Sequence, residues 1–135
     1  KRLLRQYVPE AVSLAQAGGG EVIFSRLAPN THIEAHCGPT NLRWTAHLGL
    51  VVPSSSSAKC HIRVSSEWHQ WKTGKWLLFD DSFEHEIINA TDENRTILLL
   101  RLWHPSLTEE QKRWNLDEAC RRKELAVQKR YHPPE

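Results

Sequence analysis

Two histidines set the chemical question. His36 stands in His36-Cys37-Gly38-Pro39-Thr40-Asn41, and His85 in Asp80-Asp81-Ser82-Phe83-Glu84-His85-Glu86. Each sits beside a turn signal and next to an apolar, strand-like run. Neutral imidazole is a good ligand for Fe(II), and two histidines plus one carboxylate with open positions form the usual non-haem iron set. A carboxylate two positions after the first histidine would complete that set, but the residue there is Gly38. Two readings stay open: an iron with two protein ligands, completed by cosubstrate and water, or no iron. His32 and His104 flank strand-like runs equally well, so spacing alone does not choose the pair.

Other residues could contribute to such a site. Asp80, Asp81, Glu84 and Glu86 read chiefly as a solvated turn, with one of them free to hydrogen-bond a ligand histidine. Arg95 opens the last strand-like run. On an inward face it would offer a forked, permanently charged site for a carboxylate. Burying it with no anion would be costly, and in solvent it would be an ordinary strand-end arginine. The six tryptophans are expected mostly in the core or at its rim. No Ser-His-Asp triad, phosphate loop or glycosidase-like carboxylate pair is visible.

The elements that must position these residues read as mainly β. Residues 1–17 predict a short helix or irregular lead-in, with Leu3, Leu4 and Tyr7 on one side, ended by Gly18-Gly19-Gly20. Strand-like runs follow at 22–27, 32–36, 42–52, 60–64, 75–80, 84–89 and 95–103, separated by turns. Ser54-Ser55-Ser56-Ser57 is expected to tip a hairpin, and Trp68, His69 and Trp71 to lead into a turn at Lys72-Thr73-Gly74. In 42–52, Arg43, Thr45, His47 and Gly49 share one face and Trp44, Ala46, Leu48 and Leu50 the other. The polar face is either solvent-facing or the lining of a barrel pocket. Ser106 or Thr108 caps a charged helical tail that Pro133-Pro134 ends. Seven or so short strands at this spacing predict a sandwich or barrel.

Composition sets the class. With 135 residues the chain supports one core, and 25% charged and 39% apolar residues are ordinary for a globular protein. A net charge of +2 argues for no nucleic-acid partner. No apolar run nears the ~18 residues a membrane span needs. Cys37, Cys60 and Cys120 lack metal-site spacing and are expected as free thiols. Asn89-Ala90-Thr91 and Asn94-Arg95-Thr96 match the glycosylation triplet, a pattern common by chance. The chain begins with Lys1, and a fragment of a longer protein is expected.

Taken together, His36-Cys-Gly-Pro-Thr-Asn41, His47-Leu-Gly-Leu-Val51, Gly74-Lys-Trp-Leu-Leu-Phe-Asp-Asp-Ser-Phe-Glu-His-Glu86, Arg95 and Trp103-His-Pro105 resemble the aspartyl/asparaginyl β-hydroxylase family, from about Val22 to Leu107. The resemblance implies an all-β, double-stranded β-helix (cupin-like jelly-roll) oxygenase with a C-terminal helix. It implies a lead-in at 1–20, an oxygenase core at 21–107 and a charged helical tail at 108–135. It further implies Fe(II) and 2-oxoglutarate as cofactors, and a metal site of two histidines without a carboxylate. The implied metal ligands are His36 and His85. Ser25 and Arg95 match the positions that hold the far carboxylate of 2-oxoglutarate, and His47 a residue near its other carboxylate. The implied reaction is β-hydroxylation of Asp or Asn in a protein substrate such as a disulfide-rich EGF-like module. Bacterial relatives act on a lipid acyl chain.

One departure stands out. The family's animal hydroxylases carry an arginine two positions before the second motif histidine, and here that position is Thr45, with Arg43 on the same face two residues earlier. The alternatives are a weakened or non-enzymatic metal-binding module of the same fold, or another cupin chemistry with zinc or manganese. The expected compartment is the endoplasmic reticulum lumen or a membrane anchorage for a eukaryotic member, and the cytoplasm for a bacterial one, with any anchor lying outside this chain.

Overall fold

A computed structural model describes residues 2–53 and 59–131. Ser54-Ser55-Ser56-Ser57 and Pro133-Pro134 lie outside the described residues. Two helices, α1 (Arg2–Tyr7) and α2 (Pro9–Ala17), precede eight strands. The strands are β1 (Val22–Leu27), β2 (Thr31–His36), β3 (Arg43–Val51), β4 (Cys60–Val64), β5 (Glu67–Gln70), β6 (Trp76–Phe79), β7 (His85–Asn89) and β8 (Arg95–Trp103). Helix α3 (Glu109–Tyr131) follows. The strands form two antiparallel four-stranded sheets, ordered β1-β8-β3-β6 and β2-β7-β4-β5. This is a jelly-roll arrangement, and the mainly β expectation with a C-terminal helix holds.

Strand alternation assigns each residue to a layer. Leu27, Cys60, Ile62, Trp71, Ile87 and Ile97 meet between the sheets as the inner core. On the outer face of the first sheet, Ala46, Leu98 and Leu100 pack with Ala11 of α2. The 42–52 run therefore has two buried faces, and its polar one lies inside. The lead-in docks differently from expectation. Leu3 and Tyr7 are exposed, while Leu4, Val8 and Ala11 turn onto the sheet. Leu3 and Tyr7, four residues apart within α1, share its outward side, and the helix is interrupted only after them, at Val8-Pro9. Helix α2 ends at Gly18, whose φ of 83° suits glycine and whose N–H bonds the carbonyl of Ala15.

Strand β5 was not anticipated. It is exposed along its whole length, so no apolar alternation marks it. Among the tryptophans only Trp71 is fully buried, while Trp68, Trp76 and Trp114 are exposed, against the expectation of core or rim. Thr108 rather than Ser106 caps α3. Its Oγ1 accepts from the Gln111 N–H at 3.2 Å, and Gln111 Oε1 accepts from the Thr108 N–H at 2.8 Å, a reciprocal capping box. Helix α3 rests on α2, with Lys123 Nζ donating to the Gln16 carbonyl at 2.6 Å. No helix among the described residues is long and apolar enough to cross a membrane. Asn89 is fully buried, its amide donating to the carbonyls of Ala28 and Glu93, so the first glycosylation triplet is closed off.

Candidate functional site

Strands β2 and β7 pair with His36 opposite His85, so tertiary pairing brings the two histidines side by side. Their ring centroids are 4.3 Å apart. Each ring is oriented by its own backbone. His36 Nδ1 lies 2.8 Å from the Glu34 carbonyl, and His85 Nδ1 lies 3.0 Å from the Phe83 carbonyl. A carbonyl can only accept, so both Nδ1 atoms carry a proton, and the neutral form of each ring keeps its lone pair on Nε2. Burial, opposed by the bond to Phe83, holds the His85 pKa below its usual value.

Ser25, His36, His47, His85 and Arg95 line one cavity of about 170 Å³ between the sheets. A larger cleft, of about 650 Å³, lies between α2 and α3 and contains none of the five. Arg95 reaches the cavity from the first residue of β8 and is 2% exposed. Its guanidinium stacks on Trp71 at 4.5 Å, and Nη2 reaches Ser25 Oγ only at 3.5 Å. Nε and Nη1 have no partner. Burial lowers its pKa from 12.5 to about 10, and it stays charged at neutral pH. A buried cation with spare donors at its head is complementary to an anion.

His47 lies on the inward face of β3, and its Nδ1 accepts from the Trp71 indole N–H at 3.2 Å. An indole only donates, so the His47 proton sits on Nε2. Burial first, then the charges of Arg95 and Arg101, lower its pKa from 6.5 to about 3. His47 is thus a neutral hydrogen-bond donor.

Gly38 has a steric meaning that spacing could not reveal. A Cβ there would fall 2.7 Å from Asp81 Cγ and 2.8 Å from the Asp81 carbonyl oxygen. The Gly38 N–H donates to that same carbonyl at 2.6 Å. The space that a carboxylate side chain at position 38 would need is filled by Asp81, which is 3% exposed. Asp81 is the one inward member of the acidic turn, and it binds Arg101 rather than a histidine. Glu84 and Glu86 pair with Arg63 on the outer face, and Asp80 closes the turn through the Ser82 N–H. Among the described residues, no group of three or more His, Cys, Asp or Glu is arranged to hold a metal.

The other histidines lie elsewhere. His32 meets Glu86 at 3.0 Å, and His104 meets Ser106 at 2.7 Å beside Trp44. Arg101, which no sequence signal singled out, also lines the cavity. Its inward phase, an even number of residues after Arg95 on one strand, was the available clue. The cysteines Cys37, Cys60 and Cys120 are free.

Solved structures share this architecture. The cupin domain of an XRE-family transcriptional regulator from Enterobacter cloacae matches with a TM-score of 0.51 at 11% identity, covering 66% of this chain and 86% of that one. Among sequences, the mouse aspartyl/asparaginyl beta-hydroxylase is 45% identical over 94 residues, 70% of this chain but only 12% of that protein. The ornithine lipid ester-linked acyl 2-hydroxylase of Rhizobium tropici is 42% identical over 83 residues, 62% of this chain and 29% of that protein. A family model described as aspartyl/asparaginyl beta-hydroxylase matches residues 1–105. With a match over most of its length, jelly-roll sheets and the motif residues gathered in one cavity, this chain belongs to the aspartyl/asparaginyl β-hydroxylase family.

Proposed function

We propose that this chain carries the oxygenase core of an Fe(II)- and 2-oxoglutarate-dependent hydroxylase. The observation that carries the reading is a pairing of two features in one cavity. Two adjacent imidazoles keep their Nε2 lone pairs, and Arg95 holds a buried guanidinium with unpartnered donors. The donor set fits both groups: neutral imidazoles for the metal, a desolvated fork for a carboxylate.

In this reading His36 and His85 hold the iron. Arg95, with Ser25 beside it, receives the far carboxylate of 2-oxoglutarate. His47 offers its Nε2–H to the near carboxylate, and its depressed pKa keeps it from becoming a competing cation. Trp71 stacks on His47, and Phe79 packs edge-on against His47 and tilted against His85, giving that region an apolar wall. When bound, the iron and 2-oxoglutarate would together turn dioxygen into an oxidant for an unactivated C–H bond. The substrate we favour is the β-carbon of Asp or Asn in a protein, in line with the names of the 45%-identical mouse and human relatives. The Rhizobium tropici relative supports a second reading, a lipid acyl chain.

Anaerobic addition of Fe(II) and 2-oxoglutarate is the test. A visible charge-transfer band should appear in the wild type and be absent from His85→Ala. A band that survives this substitution would overturn the ligand assignment. Succinate release with Asp-containing peptides against acylated lipids then separates the two substrate readings.

A further inference from the structure

We propose that Arg101 is the second anion anchor of the cavity, supplying from β8 the cation that Thr45 does not supply from β3. The inference rests on the reading that a dicarboxylate occupies this cavity.

Thr45 and Arg101 are direct antiparallel partners. Side chains opposite one another on one face begin about 5 Å apart, so an arginine placed at either position reaches the same volume. Arg43, the sequence's other candidate, is engaged elsewhere: its Nη1 donates to the Gly19 carbonyl, and it is not among the residues lining the cavity. Arg101 instead turns inward, where its Nη1 donates to Thr45 Oγ1 and to Asp81 Oδ2. Thr45 is 1% exposed, and its short side chain leaves room for that guanidinium.

The placement along β8 completes the case. Arg95, Ile97, Leu99 and Arg101 all face the cavity. Six residues at ~3.3 Å each put the two arginine Cα atoms about 20 Å apart. Both side chains line the cavity, one from each end of the inward face of β8. His47 lies between them and feels both charges. Asp81 holds one arm of the Arg101 fork. The Arg101 Nε lies 3.5 Å from the exposed Glu21 carboxylate, and the contacts with Thr45 and Asp81 both fall on Nη1, which leaves Nη2 for a ligand carboxylate. Asp81 thereby fixes Arg101 in place, as a second carboxylate holds a clamp arginine.

Calorimetric titration of 2-oxoglutarate into the Mn(II)-loaded chain tests this without turnover. Arg101→Met should bind about tenfold to a hundredfold more weakly than wild type, the loss of one charge-assisted contact. The exchange variant Thr45→Arg/Arg101→Thr should bind within about threefold of wild type, since the cation returns from the facing strand. Because Arg101→Met strands the Asp81 carboxylate, Arg101→Met/Asp81→Asn serves as the variant that leaves no buried charge unpaired, and it should show the same weakening. A chain-length series of succinate, glutarate and adipate adds a readout that a merely structural role would not move. Wild type should prefer one length, and Arg101→Met should lose that preference. Folded Arg101→Met or the double variant binding as tightly as wild type, while Arg95→Met does not bind, would overturn the Arg101 assignment. So would an exchange variant as weak as Arg101→Met. Wild type failing to bind 2-oxoglutarate at all would overturn the parent reading instead.

Discussion

Replacing Arg95 with methionine should make the ligand-free chain more stable. Arg95 is 2% exposed, and two of its nitrogens have no partner. Burial lowers its pKa from 12.5 to about 10. At ~1.4 kcal/mol per tenfold change, that fall corresponds to roughly 3 kcal/mol of unfavourable charge burial. Stacking on Trp71 at 4.5 Å offsets about 1–2 kcal/mol of it. Methionine keeps most of the apolar stem and drops the charge. Arg95→Met should therefore gain about 1–2 kcal/mol, or about 3–8 °C in Tm for a chain of this size. The assay is urea and thermal denaturation in a carboxylate-free buffer, repeated with 2-oxoglutarate. A hundredfold excess over Kd should stabilise wild type by about 2.7 kcal/mol and leave the variant unmoved, so the order of stabilities reverses with ligand. An Arg95→Met protein less stable than wild type in carboxylate-free buffer would refute the reasoning, as would an equal ligand shift in both. Stability sacrificed at a site awaiting its ligand is a common trade.

His47 makes the fold acid-sensitive through burial. Its folded pKa of about 3 lies below the ordinary 6.5, so the unfolded chain takes up a proton that the folded chain refuses. Its contribution is fully present above pH 6.5 and is lost progressively as pH falls toward 3. Between pH 7 and pH 5 wild type should lose about 2 kcal/mol more than His47→Gln in urea titrations, and parallel losses would contradict the assignment. Gly38→Ala should cost about 1–3 kcal/mol, because its Cβ would fall 2.7 Å from Asp81 Cγ. Gly38→Asp should be worse and should not create a three-ligand site, and a denaturation midpoint unchanged in Gly38→Ala would show that Asp81 does not hold that space.

Much of the fold is local and so was legible in the chain itself. Val22–Leu27, Cys60–Val64 and Arg95–Trp103 announce themselves by β-branched and leucine runs between turns, and the strand boundaries there coincide with the expectation. The Thr108 cap and the glycine stop after α2 follow from side-chain chemistry within a few residues. What is exposed on both faces, as β5 is, or shared between two layers, as the lead-in helices are, carries no local periodic mark. The candidate site divides along the same line. The motif residues His36, His47, His85, Ser25 and Arg95 could be named from the chain, because the resemblance rests on residue type and order. Their proximity could not, since it depends on strand register across two sheets. Only the tertiary structure decided that Asp81 fills the space beside Gly38, that Trp71 sets the His47 tautomer, and that the cation facing Thr45 comes from Arg101 on the neighbouring strand. Each of these is a contact between residues distant in sequence, and the one-dimensional chain holds no record of which distant side chains will compete for the same few ångströms.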